Sequence, residues 1–356
     1  MNIPVKNCSS CMACVNVCAR GAIEIVQDDE GFYRPNINED LCVQCGTCEK
    51  ACPWETLVKN PNGSSAAPRT LAAFNNDESV RLQSSSGGVF SILAKSILCQ
   101  GGVVVGVGYK DPTHLEFKFV QNEIELEQIR LSKYFQANAG DVYRQVKKML
   151  LDGRRVLFSG TSCQVAALYA VLGKRKFENL TTLDIVCHGV PSPKVFEKYV
   201  GEVEQKNSAK VASSNFRDKV SGWKRFSITN KLVIEYRNGS DFLKKSSLIR
   251  EDDFMVAFLD NLCLNSSCAN CKYAKVPRIA DITLGDYWGV AKYHPEMDDD
   301  KGTSVVLLNT AHGENVFNVA LDTPENQTMT ICESHLEYAV AGNPCIVRSS
   351  RPHKNR

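Results

Sequence analysis

Sixteen cysteines stand in the 356-residue chain, and eight of them fall before residue 53. Those eight form two runs of one pattern. Cys8-x2-Cys11-x2-Cys14-x3-Cys18 returns as Cys42-x2-Cys45-x2-Cys48-x3-Cys52, followed by Pro53. The chemistry of that spacing is electron transfer. Three thiolates on one tight loop cap three corners of an Fe4S4 cube, and the fourth leaves on a short helix toward a second cube. The runs therefore predict two 4Fe-4S clusters. Cys8, Cys11, Cys14 and Cys52 would hold one, and Cys42, Cys45, Cys48 and Cys18 the other. Two zinc sites are the alternative, but zinc prefers two C-x2-C pairs around one ion, not four cysteines in each compact run. Ala19 in place of a proline after Cys18 departs from the pattern without removing a ligand.

Further candidates lie beyond residue 80. Cys163 and Cys187 each follow a predicted strand, and Cys268-x2-Cys271 sits in a small polar loop. Loops at strand ends converge on one edge of an α/β sheet, so these four thiols are candidates for a third 4Fe-4S site. The alternative makes Cys163 and Cys187 small buried hydrophobes and leaves the pair to zinc or to nothing. Cys99 and Cys263 read as packing residues; Cys332 and Cys345 carry no assignment. Ser84-Ser85-Ser86-Gly87-Gly88 opens an apolar helix, and free amides there suit a phosphate; a plain serine N-cap is the alternative. Gly160 and Thr161, in Phe158 to Gln164, repeat the same strand–loop–helix logic. His188 follows a candidate ligand, as a hydrogen-bond donor or a turn residue. Arg217, Lys219 and Arg278 are candidates for an anion or for surface ion pairs. Asp281 and Asp286 would line a site or stabilise turns.

The elements that must position these residues are strands alternating with helices, which predicts an α/β fold. Residues 1–58 are the cluster module, with a hairpin around Asp28-Asp29-Glu30-Gly31. Residues 59–70, rich in Pro, Gly and Ser, read as a linker. A strand over Leu71–Phe74, a helix from Val89 to Leu98 and a strand at Val103–Val105 begin a region 71–152, which a helix from Tyr143 to Leu151 closes. Region 153–320 opens with a strand at Val156–Phe158, a helix over Val165–Leu172 and a strand over Leu180–Val186. It continues with strands at Arg225–Thr229 and Leu232–Tyr236, a turn at Asn238-Gly239 and a helix over Asp252–Leu262. Strands over Ile279–Val290 and Ser304–Asn309 complete it. Residues 321–356 carry no clear signal and end in a basic tail.

Composition excludes several classes. Forty-two Lys and Arg against 40 Asp and Glu give a net charge of +2, which offers no footprint for nucleic acid or an anionic membrane. No apolar run approaches the ~18–20 residues of a membrane span. The start of the chain lacks the charged and apolar regions of a secretory signal. Clustered cysteines without such a signal read as cytoplasmic metal or redox residues rather than disulfides.

Taken in order, the motifs Ser84–Ser91, Ser132-Lys133-Tyr134, Phe158–Gln164, Asp184–Pro193, Phe216–Lys219, Ser267–Cys271 and Arg278–Gly289 resemble the coenzyme F420 hydrogenase/dehydrogenase beta-subunit family. The likeness covers about residues 71–320, with a bacterial-type ferredoxin module fused in front. It implies a flavoprotein, usually with FAD, and a cluster within the core of members that lack a ferredoxin module. Ser132 and Lys133 match the family's flavin-contacting loop. With Ser85, Ser86, Gly87, Gly88, Gly160 and Thr161 they form the expected flavin site. A flavin also suits the chemistry, since clusters pass single electrons and hydride donors move two. The expectation is a flavin-dependent iron–sulfur oxidoreductase acting on a small redox substrate, coenzyme F420 or another acceptor, with a redox partner protein or subunit. A non-catalytic electron-transfer subunit and a redox sensor with labile clusters are the alternatives.

Overall fold

Valine-rich strands lie at the centre of the fold because both faces of their sheet are covered. A computed structural model describes residues 7–236, 239–322 and 329–351. Strands β1 (Ile23–Gln27) and β2 (Tyr33–Ile37) pair as the N-terminal hairpin. Then come β3 (Arg69–Asn75), β4 (Val103–Asp111), β5 (His114–Val120), β6 (Val156–Thr161) and β7 (Leu180–Ile185). Strands β8 (Lys210–Asp218), β9 (Ser227–Tyr236) and β10 (Gly239–Leu248) form a separate antiparallel sheet. The chain returns to the main sheet with β11 (Ile282–Asp286), β12 (Ser304–Leu308) and β13 (Met329–Ser334).

Among the described residues the main sheet has eight strands in the order β13-β3-β12-β11-β7-β6-β4-β5. Its centre, β11-β7-β6-β4, is parallel, and antiparallel strands flank it on both sides. This is the α/β architecture expected from the alternating pattern. The two-residue period divides the strands between two cores. Val103, Val105, Val156 and Phe158 face the helices Val142–Leu151 and Ser162–Leu172. Val104 and Leu157 face the helices Val89–Cys99 and Ala311–Leu321. A third, aromatic core joins the β8–β10 sheet to the body through Phe135, Phe196, Phe216 and Phe254, with Phe135 stacked on Phe196 at 4.2 Å.

The cluster module is built into this body. Cys11, Met12, Ala13 and Tyr33 belong to the same apolar core as Tyr143 and Phe158. Tyr143 Oη donates to the Cys11 carbonyl (2.9 Å), the Asn16 amide to Gly140 O (2.8 Å), and the Tyr33 N–H to Gln136 Oε1 (2.7 Å).

The linker expected at 59–70 is an ordered strap. Asn60 and Asn62 both donate to Asp281 Oδ1, the Ser65 N–H donates to Asn309 O, and Arg69 and Thr70 already belong to β3. The sequence signal misled because asparagine side chains can hydrogen-bond like backbone. The two strands expected at 225–236 are one. Asn230 continues the ladder, buried, accepting from Ser214 Oγ at 2.6 Å. Asn238, expected in the turn, lies outside the described residues, as do residues 352–356 of the basic tail. The helix expected to Leu262 ends at Leu259, and Leu262 is exposed. Cys263 is buried as expected, whereas Cys99 is exposed at its helix end. The last stretch, without a signal in sequence, supplies β13 and the helix Leu336–Gly342. Among the described residues no helix is long and apolar enough to cross a membrane.

Candidate redox site

The repeat in the cysteine runs is also a repeat in the backbone. Ser10 and Met12 take positive φ of 55° and 63°, and their counterparts Gln44 and Gly46 take 54° and 71°. Three of these four are not glycine, so the left-handed turns are held at some cost by the surrounding structure. Cys52 lies within electrostatic range of Cys8 and Cys14, and Cys18 within range of Cys48, as a crossed assignment requires, while Cys14 also feels Cys48. The first run is enclosed. Burial pushes the Cys14 thiol up to about 12 and raises Cys11 well above its ordinary value. Thiolates in such a place need a compensating cation. In the second run Cys45 is exposed, Cys42 and Cys52 are half-buried and Cys48 is buried; Leu41 and Val43 are exposed too.

Cys163, Cys187, Cys268 and Cys271 do meet. Cys163 stands in the first turn of the helix after β6 and Cys187 just past β7. Cys268 and Cys271 stand on the 3-10 turn Ser266–Asn270 and its end. Each thiol feels the others electrostatically, and burial pushes Cys163 up to about 11, Cys268 up to about 12 and Cys187 well above its ordinary value. They surround a small void of ≈ 50 Å³. Four thiolates on one zinc would hold their sulfurs ~3.8 Å apart, given Zn–S bonds of about 2.3 Å. Among the described residues no three of these sulfurs lie within 4.8 Å of one another. The nest therefore suits a larger inorganic core better than a single ion. Cys345, unassigned from sequence, lines the same void, its Sγ 3.9 Å from His188 Nδ1. Nothing in sequence placed it there, because it arrives alone from a distant 3-10 turn.

Beside the nest opens a cavity of ≈ 590 Å³ at the carboxyl ends of β6, β7 and β11. That volume and position are those of a cofactor or substrate site in an α/β sheet. Cys163, Cys187 and His188 belong to both walls. Ser85, Ser86, Gly88, Ser132, Lys133, Gly160 and Thr161 all line the cavity. Ser85 Oγ accepts from the Ser132 N–H at 2.8 Å, tying the two loops together. Gly88 caps the helix Val89–Cys99 with φ 82° and no side-chain cap, so its first amides are free of one. Thr161 caps the helix after β6 in a capping box with Gln164. Gly87 alone of the expected flavin residues is not on the cavity wall. Its N–H donates to Ser304 Oγ, and a Cβ there would come within 2.4 Å of Ala73 O. It permits the close approach behind the loop. Lys133 is not a solvated surface lysine. Its amine end is enclosed, donates to Val107 O and Arg130 O, and is pulled down to about 7 by burial.

Of the basic residues expected at an anion or in surface ion pairs, Arg217 and Arg278 are in buried ion pairs. Arg217 binds Asp286 through both guanidinium ends (2.6 and 2.8 Å) and packs over the Phe226 ring at 4.0 Å. Arg278 binds Asp184 at 2.7 Å. Lys219 donates to the carbonyls of Arg81, Ser86 and Lys301 and so braces the serine loop from behind. Asp281 is a buried junction for Asn60, Asn62, Thr182 and Thr310. Among the described residues, Arg130 Nε, Arg217 Nε and His188 Nε2 on the cavity wall are buried without a hydrogen-bond partner. Orphaned buried polar atoms around a cavity indicate a polar ligand. Only Arg130 among them carried no signal in sequence.

Comparison with known proteins agrees with this geometry. The family description "4Fe-4S dicluster domain" matches residues 7–56, and the chain is accordingly an iron–sulfur protein of electron-transfer type. No curated protein matches the chain. Among solved structures, a chain of the F420-reducing NiFe hydrogenase complex from Methanosarcina barkeri shares the fold. Its TM-score is 0.51 and its identity 16%, over 81% of this chain and 92% of that one. The family description for the C terminus of the coenzyme F420 hydrogenase/dehydrogenase beta subunit matches residues 153–333, the segment that carries Cys163, Cys187, Cys268 and Cys271. Because that match spans more than half of its 356 residues, the chain belongs to the coenzyme F420 hydrogenase/dehydrogenase beta-subunit family.

Proposed function

We propose that this protein is a flavin-dependent iron–sulfur oxidoreductase with three 4Fe-4S clusters. The observation that carries the reading is the shared wall. Cys11 of the N-terminal module lies in electrostatic contact with Cys163. Cys163 and Cys187 in turn belong both to the four-thiol nest and to the large cavity. Tyr273 spans the first junction, donating to Pro53 O at 2.9 Å next to Cys52 and lying in electrostatic contact with Cys11, Cys163 and Cys271. Module, nest and cavity thus adjoin in series. A flavin in the cavity supplies the conversion between single-electron and hydride transfer.

The residues of the chain bind and orient that group. The serine loop and the helix start after Gly88, which no side chain caps, suit its phosphates. Arg130 Nε and Arg217 Nε are the donors left for its polar edge. Ser132 fixes the loop pair, and Gly160 and Thr161 form the floor next to Cys163. The substrate is a small hydride acceptor or donor, coenzyme F420 being the family's own. An anaerobic preparation analysed for iron, sulfide and released flavin tests the reading. Three cubes require about 12 iron atoms per chain together with one flavin. About 8 iron atoms would remove the core cluster, and absence of flavin would overturn the proposal. Cys187→Ser is expected to lose about four iron atoms and keep the flavin.

A second reading has this chain as an electron-transfer subunit whose turnover needs a partner. The similar solved chain belongs to a hydrogenase complex, and the exposed Cys45 is placed for such a partner. Turnover of the isolated chain with a reduced viologen and candidate acceptors separates the two.

A further inference from the structure

Away from the redox site, three side chains of unlike chemistry point at one spot. His294 and Glu296 lie on the connection between β11 and β12, and Cys332 on the edge strand β13. Cys332 Sγ is 3.3 Å from His294 Nδ1 and 3.6 Å from Glu296 Oε1, and Nδ1 is 3.8 Å from Oε1. A tetrahedral zinc with bonds of about 2.0 Å to N and O and 2.3 Å to S would set these three spacings at roughly 3.5, 3.5 and 3.3 Å. Among the described residues this is the one group of three such ligand atoms within 4.8 Å of each other.

We propose that His294, Glu296 and Cys332 form a zinc site that staples the edge strand β13 to the β11–β12 connection. Convergence on a single imidazole nitrogen is what distinguishes it from a nucleophilic cysteine triad. There the thiol and the carboxylate would take opposite nitrogens of the ring. Here both face Nδ1, and Nε2 contacts Ser334 Oγ at 2.8 Å. That contact fixes the ring, as an outer partner of a metal-bound histidine does. Ser334 is held in turn by Tyr287 Oη at 2.5 Å. The connection is rigid: the His294 N–H donates to Val290 O, and Tyr293 stacks on Tyr338 at 4.0 Å. Thiolate with imidazole and one carboxylate selects zinc over magnesium or calcium, which take oxygen ligands. Glu296 stands 62% exposed in its side chain, so the fourth position opens to water.

The test uses the full-length protein purified anaerobically, with zinc and iron counted per chain, and Zn(II) titrated into any preparation that is not full. One zinc per chain is expected in the wild type, and Cys332→Ser and His294→Gln are expected to lose it with iron unchanged. Ser334→Ala is expected to retain iron and bind Zn(II) about 10–100-fold more weakly; this milder variant decides the matter if the ligand variants fail to fold. A wild type that neither holds nor takes up zinc would overturn the proposal. So would zinc that survives in Cys332→Ser, or zinc whose loss follows loss of iron, since it would then sit on the cluster cysteines.

Discussion

Asp184 and Arg278 are 0% and 1% exposed in their side chains and meet at 2.7 Å. Ser162 Oγ, at the start of the helix after β6, and Thr283 Oγ1 of β11 also donate to Asp184, so both of its oxygens are hydrogen-bonded. Removing one member of such a pair strands the other charge and costs about 3–5 kcal/mol. Asp184→Ala is therefore expected to lower unfolding stability by that amount, read from urea transitions of the anaerobic protein. Lys133 gives a pH signature instead. Its amine is pulled down to about 7 by burial, while an unfolded lysine keeps its proton to about 10.4. Between those values the unfolded chain binds the extra proton, so stability from this position rises with pH there and is flat below. The wild type is expected to gain on Lys133→Met as pH is raised from about 7 to 9, by at most about 1.4 kcal/mol per pH unit; a constant difference in urea midpoints would refute it. At this scale the sequence is most legible where ligands must be close along the chain. The two cysteine runs announce themselves for that reason, whereas Cys345, Arg130 and the His294 cluster become neighbours only through folding.

Among the elements, the serine loop between the short helix Glu78–Leu82 and the helix Val89–Cys99 depends on what lies behind it. Gly87 packs its Cα against Ala73 O and Ser304 N, where a Cβ would approach to 2.4 and 2.8 Å. Both neighbours are backbone and cannot step aside. Gly87→Ala is expected to cost about 1–3 kcal/mol as an overpacked site and, by shifting Ser85 and Ser86, to weaken retention of the flavin proposed above. Flavin content after gel filtration checks it. The central strands were readable from sequence because burial on both faces leaves continuous apolar runs such as Val103–Val105. β5 and β8 escaped because half-exposed strands with polar residues carry a weaker pattern; Lys118 and Glu116 on β5 are an example, paired at 2.6 Å. The helix Pro193–Asn207 likewise went unread, although Ser192 and Pro193 mark its start.

For the whole molecule, the main surprise is that the cluster module is not tethered but embedded. Besides the contacts of Cys11, Asn16 and Tyr33, Ser192 Oγ donates to Glu30 O, and Lys272 Nζ reaches the Trp54 carbonyl. A composition rich in Pro, Gly and Ser cannot reveal that Asn60 and Asn62 have a buried aspartate waiting. Module and body are expected to unfold in one transition, with loss of cluster absorbance coinciding with loss of secondary structure. Limited proteolysis is expected to leave the 59–70 strap uncut under conditions that cleave exposed loops. Two separated transitions, or release of a fragment near residue 58, would refute the embedding.

The unequal exposure of the two cysteine runs has its own consequence. With Cys11 and Cys14 walled in and Cys45 facing outward, a redox protein that calls on this molecule finds its nearest berth at Cys45. Givers and takers of electrons would have to moor there in turn, so each should act as a competitive inhibitor of the other's traffic.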